Sequence, residues 1–213
     1  MATYQQGVLG DFSGKVGTVI GSRWRGKAVL RSLPNKSHKP PTPAQQLQRN
    51  RFKCIHSFLT PIKDLLNETF GAPVKSKSRY NLAFSYHLKE ATIFNGVDFE
   101  IQYNKVLISM GPLRGLESPL VTHPETGHLH LQWADNSNQG MAYHDDVLLV
   151  VAYAPALKLF SCFTHMARRT NGECLLDFEP VFHGLEVELW AGFTNSNKQL
   201  SATSMYLGNY TVQ

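Results

Sequence analysis

Between residues 97 and 213 the chain runs as short stretches rich in β-branched and aromatic residues, each closed by Gly, Pro, Asn or Asp. They lie at 98–110, 128–134, 146–154, 157–167, 173–178, 185–194 and 200–212. Strict alternation is clear in His128-Leu129-His130-Leu131-Gln132-Trp133 and in Glu186-Val187-Glu188-Leu189-Trp190. Period two is the signature of strands with two distinct faces. Seven such runs separated by turn residues predict an antiparallel sandwich of immunoglobulin or fibronectin type III character.

Upstream the pattern changes period. Thr42-Pro43 supplies a helix N-cap followed by proline at the first helical position. Ala44, Leu47, Phe52, Ile55, Phe58 and Leu59 then mark an inward face, with the glutamines, Arg49, Asn50 and Lys53 mostly outward. Thr60-Pro61 repeats the signal and predicts a kink, then a short helix through Ile62, Leu65 and Leu66 to about Phe70. Residues 72–79 form a basic connector, and 79–93 predict a third helix.

Residues 1–33 are different again. Glycines at 7, 10, 14, 17, 21 and 26 disfavour helix, since each interior glycine costs about 1 kcal/mol relative to alanine. Two strands are expected from Lys15 onward, joined by a tight turn at Gly21-Ser22. Val16, Thr18 and Ile20 would share one face of the first strand. In the second, Arg23, Arg25, Lys27 and Arg31 would share one face, and Trp24, Ala28 and Leu30 the other. An isolated two-stranded ribbon is marginal in water, so this arm must lie against something. The expected chain is therefore α+β and mainly β: a glycine-rich arm and linker at 1–40, a helical segment at 41–96, and a sandwich at 97–213.

Charge is divided along the chain. Residues 1–80 hold fourteen Lys/Arg against Asp11, Asp64 and Glu68, a net +11, while residues 81–213 hold seven against thirteen acidic, a net −6. Such a chain can bind nucleic acid, or another copy of itself head to tail. Hydrophobic residues at 42% suffice for a packed core. An odd count of three cysteines argues against a disulfide framework. No apolar stretch is long enough to span a membrane. The start lacks the basic and apolar regions of a secretory signal. The protein is expected to be made in the cytoplasm, with release into an extracellular or virus-like assembly left open.

Candidate chemistry is sparse. Gly10-Asp11-Phe12-Ser13-Gly14-Lys15-Val16 superficially suggests a phosphate loop, but has three residues between its glycines instead of four and Val16 where Ser or Thr is needed. His128 and His130 would share one face of a strand and could chelate a metal with His123, His144 or His165; the alternative is that both face solvent opposite Leu129 and Leu131. Cys162 and His165 could add a ligand pair, although an apolar run around Cys162 favours a core thiol. Asp145-Asp146 and Ser161 or Ser204 lack the surroundings of a catalytic constellation. Neither enzymatic activity nor a cofactor is expected.

The sequence resembles an uncharacterised bacterial family, domain of unknown function 6266. The likeness is carried by Phe12–Gly26 (Phe-Ser-Gly-Lys-Val-Gly-Thr-Val-Ile-Gly-Ser-Arg-Trp-Arg-Gly), by Pro41–Gln46 with Arg49 and Phe52, by Leu82–Lys89, and by Leu200–Gly208. The resemblance implies a recurrent architecture and carries no activity.

The strongest binding signal is the basic arm. The expected reading is a self-assembling structural subunit of a filament, tube or shell, which docks its arm on a neighbour. Val16, Ile20, Trp24 and Leu30 would anchor it. Arg23, Arg25 and Arg31 would meet an acidic surface of Glu173, Asp177, Glu179, Glu186 and Glu188. Two alternatives stand beside it. One is nucleic-acid binding through the arm and Arg49, Arg51 and Lys53. The other is receptor or glycan binding on Trp133 or Trp190, of which Trp133 is expected in the core.

Overall fold

The computed structural model describes residues 2–3, 12–24, 26–35, 39–73, 77–123, 126–197 and 199–213. They form two compact units, Met1–Thr42 and Pro43–Gln213.

The first unit is a four-stranded antiparallel sheet in the order β1-β4-β3-β2, built from β1 (Ala2–Thr3), β2 (Gly14–Val16), β3 (Val19–Trp24) and β4 (Lys27–Ser32). The expected turn at Gly21-Ser22 is not there; β3 runs straight through it. Chain reversal falls instead at Gly17 (φ 59°) and Gly26 (φ 78°), where positive φ is nearly free only for glycine. Gly21 serves close approach, since a Cβ there would lie 2.5 Å from the Phe12 carbonyl oxygen and against its ring.

The second unit has three layers. α1 (Pro43–Leu59), α2 (Lys63–Thr69) and α3 (Arg79–Glu90) lead into a hairpin of β5 (Thr92–Phe94) and β6 (Phe99–Ile101). Then follow β7 (Glu117–Thr122), β8 (His128–Ala134), β9 (Val147–Ala154), β10 (Leu159–Arg168), β11 (Glu173–Asp177), β12 (Glu186–Thr194) and β13 (Met205–Thr211). They make two antiparallel sheets, β11-β8-β7 and β10-β9-β12-β13. This is the expected sandwich, with the helices as a third layer on its larger sheet.

β9 explains the helical layer. Its sequence Val-Leu-Leu-Val-Val-Ala-Tyr-Ala is apolar on both faces, the pattern of a strand covered on both sides. Leu148, Val150, Ala152 and Ala154 enter the core between the sheets, whereas Leu149, Val151 and Tyr153 meet Ile55, Phe58, Leu59, Ile62 and Leu66 from the helices. β12 divides likewise, with Val187, Leu189, Ala191 and Phe193 inward and Trp190 under the helical layer. Phe52, expected on the inward face of α1, is exposed and packs on Phe84, ring centroids 4.6 Å apart. α3 begins at Ser78, whose Oγ accepts from the Asn81 N–H (3.2 Å).

The run at 98–110 is not one strand. Phe99–Ile101 pairs with β5, a turn follows at Tyr103–Lys105, and the chain then crosses between helices and sandwich. There the Met110 N–H donates to the Thr69 carbonyl (3.1 Å). Ser204 Oγ accepts from the N–H groups of Ile108 (2.9 Å) and Ser109 (3.3 Å), and Ser109 Oγ donates to the Ala202 carbonyl (2.8 Å). Val106 and Ile108 are buried, so apolar alternation is present, but its partners come singly from separate elements and no ladder forms. Gly111 permits the crossing, as a Cβ there would lie 2.2 Å from the Ser201 carbonyl oxygen. β7 escaped the sequence pattern because Pro119 and a bulge at Ser118 (φ 50°) interrupt it; as an edge strand it tolerates both.

His87 locks α3 to this crossing segment. Its Nδ1–H donates to the Ala83 carbonyl (2.7 Å) and its Nε2 accepts from the Leu107 N–H (3.2 Å), an arrangement open only to the neutral ring. Burial pulls its pKa down from the usual histidine value to about 4. An unfolded chain binds that proton near 6.5, so His87's contribution is complete above that pH and is lost as pH falls towards 4. The loss reaches roughly 3 kcal/mol. Urea denaturation between pH 7 and 4 is expected to show a steeper decline for the native protein than for His87→Asn; parallel profiles would contradict this account.

Candidate functional site

Strand register decides what the arm displays. Direct pairs share a face, so Ile20, Ser22 and Trp24 lie with Arg31, Val29 and Lys27, while Val19, Gly21 and Arg23 lie with Ser32, Leu30 and Ala28. Lys15 joins the first face and Val16 the second. The expected single cationic stripe is thus divided between two faces, because the chain turns after Trp24 and alternation does not carry across that turn. Val16 is 63% exposed and Trp24 51% exposed. Arg23 and Arg31 are exposed, Ile20 and Leu30 half-buried, and Arg25 lies outside the described residues. Gly14–Val16 is a strand leading into a turn and β3, so the helix N-terminus a phosphate loop requires does not follow it; Gly10 and Asp11 are outside the described residues.

The acidic residues do not form one surface. Glu173 and Asp177 stand on the outer face of the β11-β8-β7 sheet, where Asp177 meets His128 Nε2 and Glu173 meets His130 Nε2, each at 3.3 Å. Leu129 and Leu131 are buried behind the two histidines, so the alternation holds. Among the described residues no group of three or more His, Cys, Asp or Glu is placed to hold a metal ion. Glu179 and Glu186 are exposed. Glu188 is not available: it is buried and accepts from the Tyr206 hydroxyl and from Asn209 Nδ2 (3.0 Å). Burial, then the Glu188 hydrogen bond, raises the Tyr206 pKa.

Neither tryptophan of the sandwich is a platform. Trp133 lies in the core, its indole N–H donating to the Arg169 carbonyl (2.8 Å). Trp190, the other candidate platform, is fully buried beneath the helical layer and donates to the Tyr103 carbonyl (3.1 Å). On α1, Arg51 donates to Thr92 Oγ1 (3.2 Å) and to the Leu88 carbonyl, and its guanidinium lies 5.5 Å from the Phe99 ring. It joins α1 to the end of α3. Cys162 is exposed on β10, not a core thiol. Desolvation raises the pKa of Cys54, Cys162 and Cys174, the opposite of what activates a nucleophile.

The most elaborate polar cluster is one sequence reasoning missed. Arg169 and Asp146 are wholly buried at one end of the sandwich. Arg169 Nε and Nη2 donate to Asp146 Oδ2 (3.2 and 2.9 Å), Nη1 to Asn136 Oδ1 (2.6 Å) and the Gly115 carbonyl (3.4 Å), and Nη2 also to the Arg114 carbonyl (2.8 Å). All five guanidinium N–H groups have acceptors, and the plane lies 4.0 Å from the Phe193 ring centroid. Asp146 Oδ2 also accepts from the Tyr143 N–H (3.0 Å). The group ties four stretches of chain together. Nothing in Arg168-Arg169 or Asp145-Asp146 distinguishes the buried member of each pair, since the strand ends there and alternation fails.

The model of a family of unknown function, DUF6266, matches residues 11–208. The chain belongs to that family. No curated protein matches it. Among solved structures, the fn3 domain of the human collagen alpha-1(XX) chain is similar at 9% identity, over 47% of this chain and 86% of that one, with a TM-score of 0.35.

In this DUF6266 protein the family-like blocks fall at identifiable places. Phe12–Gly26 builds β2, β3 and their turns, and Leu82–Lys89 carries His87. Leu200–Gly208 carries Ala202 and Ser204, which hold the crossing segment. The buried ion pair makes a sharp prediction. Asp146→Ala leaves the guanidinium buried without its counter-charge and should cost about 3–5 kcal/mol. The double replacement Asp146→Leu with Arg169→Met should cost less than that single change. Chemical denaturation of both variants checks the order.

Proposed function

We propose that this DUF6266 protein is a structural subunit that assembles with copies of itself, the arm of one subunit lying on the sandwich of the next. The observation that carries this reading is the arm's surface: Val16 and Val19 are exposed on the face of Arg23, and Trp24 is exposed on the face of Lys15, Lys27 and Arg31. Apolar side chains gain nothing from being left in water, and apolar groups exposed among charged ones mark contact surfaces. Charge favours the pairing, because residues 1–42 hold seven Lys/Arg against Asp11 alone.

The outer face of β11-β8-β7 is the matching surface. It presents Glu173 and Asp177 with the exposed Leu120 and Leu175, so acidic and apolar groups alternate there as cationic and apolar groups do on the arm. Docking of the arm on a different surface of the neighbour is heterologous, and such contacts build open polymers unless their rotation closes a ring.

Deleting residues 1–33 should reduce the mass measured by light scattering to that of the smallest species. An assembly of unchanged mass would remove the proposal. Glu173→Lys with Asp177→Lys should weaken association about tenfold or more, near 1.4 kcal/mol, and added salt should act in the same direction.

A further inference from the structure

The sandwich has four edge strands, and three are blunted against pairing. β7 carries Pro119 and the bulge at Ser118. β11 is five residues long and bears Glu173 and Asp177. β13 shifts register opposite Leu189/Trp190, has Gly208 at φ 122°, and its Leu207 carbonyl accepts the Tyr210 hydroxyl (2.9 Å). Proline, charge, shortness and bulges are the devices by which edge strands avoid adding another strand.

β10 has none of these over its first six residues. Leu159-Phe160-Ser161-Cys162-Phe163-Thr164 is uncharged and pairs with β9 in unbroken register from Leu159↔Ala154 to Thr164↔Leu149. The bulge comes only afterwards, where His165 takes φ 63°. β10 is the terminal strand of its sheet, and among the described residues it pairs with β9 alone.

We propose that residues 159–164 form a second, isologous interface, pairing antiparallel with the same strand of a second copy. Charge selects that occupant. The arm strands carry Lys15, Arg23, Lys27 and Arg31 and find no counter-charge on this edge, whereas two uncharged copies meet without repulsion. The pleat limits the register. A two-fold axis normal to the sheet keeps each residue on its own face, so directly opposed residues must share parity and the axis must pass midway between a residue and its own copy. An axis at Cys162 sets it opposite itself, at a Cα separation of about 4.5–5.5 Å. An axis at Ser161 sets the two Cys162 side chains diagonally, about 7–8 Å apart. Either register gives a continuous eight-stranded sheet with both helical layers on one side.

This interface is independent of the arm, and one experiment separates the two. The full chain, reduced, is treated with a short bis-maleimide, and the products are sized and mapped by mass spectrometry. The expected product is a covalent dimer of twice 23.9 kDa, joined Cys162 to Cys162 and lost in Cys162→Ser. Cys162→Lys opposes like charges and is expected to halve the mass of the smallest sedimenting species. Thr164→Lys, at another exposed position of the same edge, repeats the test should the first variant fold poorly by circular dichroism. Large assemblies with no Cys162 cross-link would overturn this inference and leave arm docking standing. A Cys162-linked dimer with nothing larger would support it and remove the polymer. Cross-linking through Cys54 alone, or a folded Cys162→Lys protein of undiminished mass, would also overturn it.

Discussion

The larger unit depends on a sheet that must bury both of its faces. β9 and β12 have apolar or aromatic side chains on each side, and a second β-sheet can cover only one of them. The three helices answer that requirement: Ile55, Phe58, Leu59 and Leu66 lie over Leu149, Val151 and Trp190. Trp190 is the centre of this second core, between Tyr103 and Tyr206. Helices and sandwich are therefore one cooperative unit, since neither half can close its own apolar surface.

Where the two cores meet the edges of the molecule, polar groups complete them. The segment from Val106 to Leu113 is fastened by α2, by His87 on α3 and by Ser204 ahead of β13, one hydrogen bond or a pair at a time. At one end of the sandwich Arg169 gathers Asp146, Asn136 and two backbone carbonyls into a buried knot beneath Phe193. A buried ion pair contributes little net stability over an apolar replacement, and the five bonds of Arg169 link residues 114–115, 136 and 146 to the end of β10.

The surface divides into protected and unprotected parts by the same logic. Charge, proline and bulges guard three sheet edges, and histidine–carboxylate pairs lie on the outer face of β8 and β11 beside the exposed Leu120 and Leu175. Among the described residues, Val16, Val19 and Trp24 of the arm sheet are exposed, and the first six residues of β10 carry no charge. Edges blunted in this way resist the addition of a further strand.

Short-range pattern determined a great deal here. Thr42-Pro43 and Ser78 start helices where capping chemistry requires them, and six of the seven apolar runs contain the strands they signal, because alternation and caps are local properties of backbone and side chain. The unbroken apolar run of β9 even shows that its sheet is covered twice. Four features were decided only in three dimensions. Gly21 is a point of close approach, while Gly17 and Gly26 make the turns, and that moves Lys27 and Arg31 to the face opposite Arg23. Trp190 and Glu188, alternating with core residues, look solvent-facing until the helices are laid over Trp190 and Tyr206 and Asn209 bind the Glu188 carboxylate. Cys162 looks buried until β10 proves to be an edge. Arg169 and Asp146 find each other across 23 residues. The reason is common to all four: alternation tells which residues share a face, but what covers that face is settled by chain segments distant in sequence.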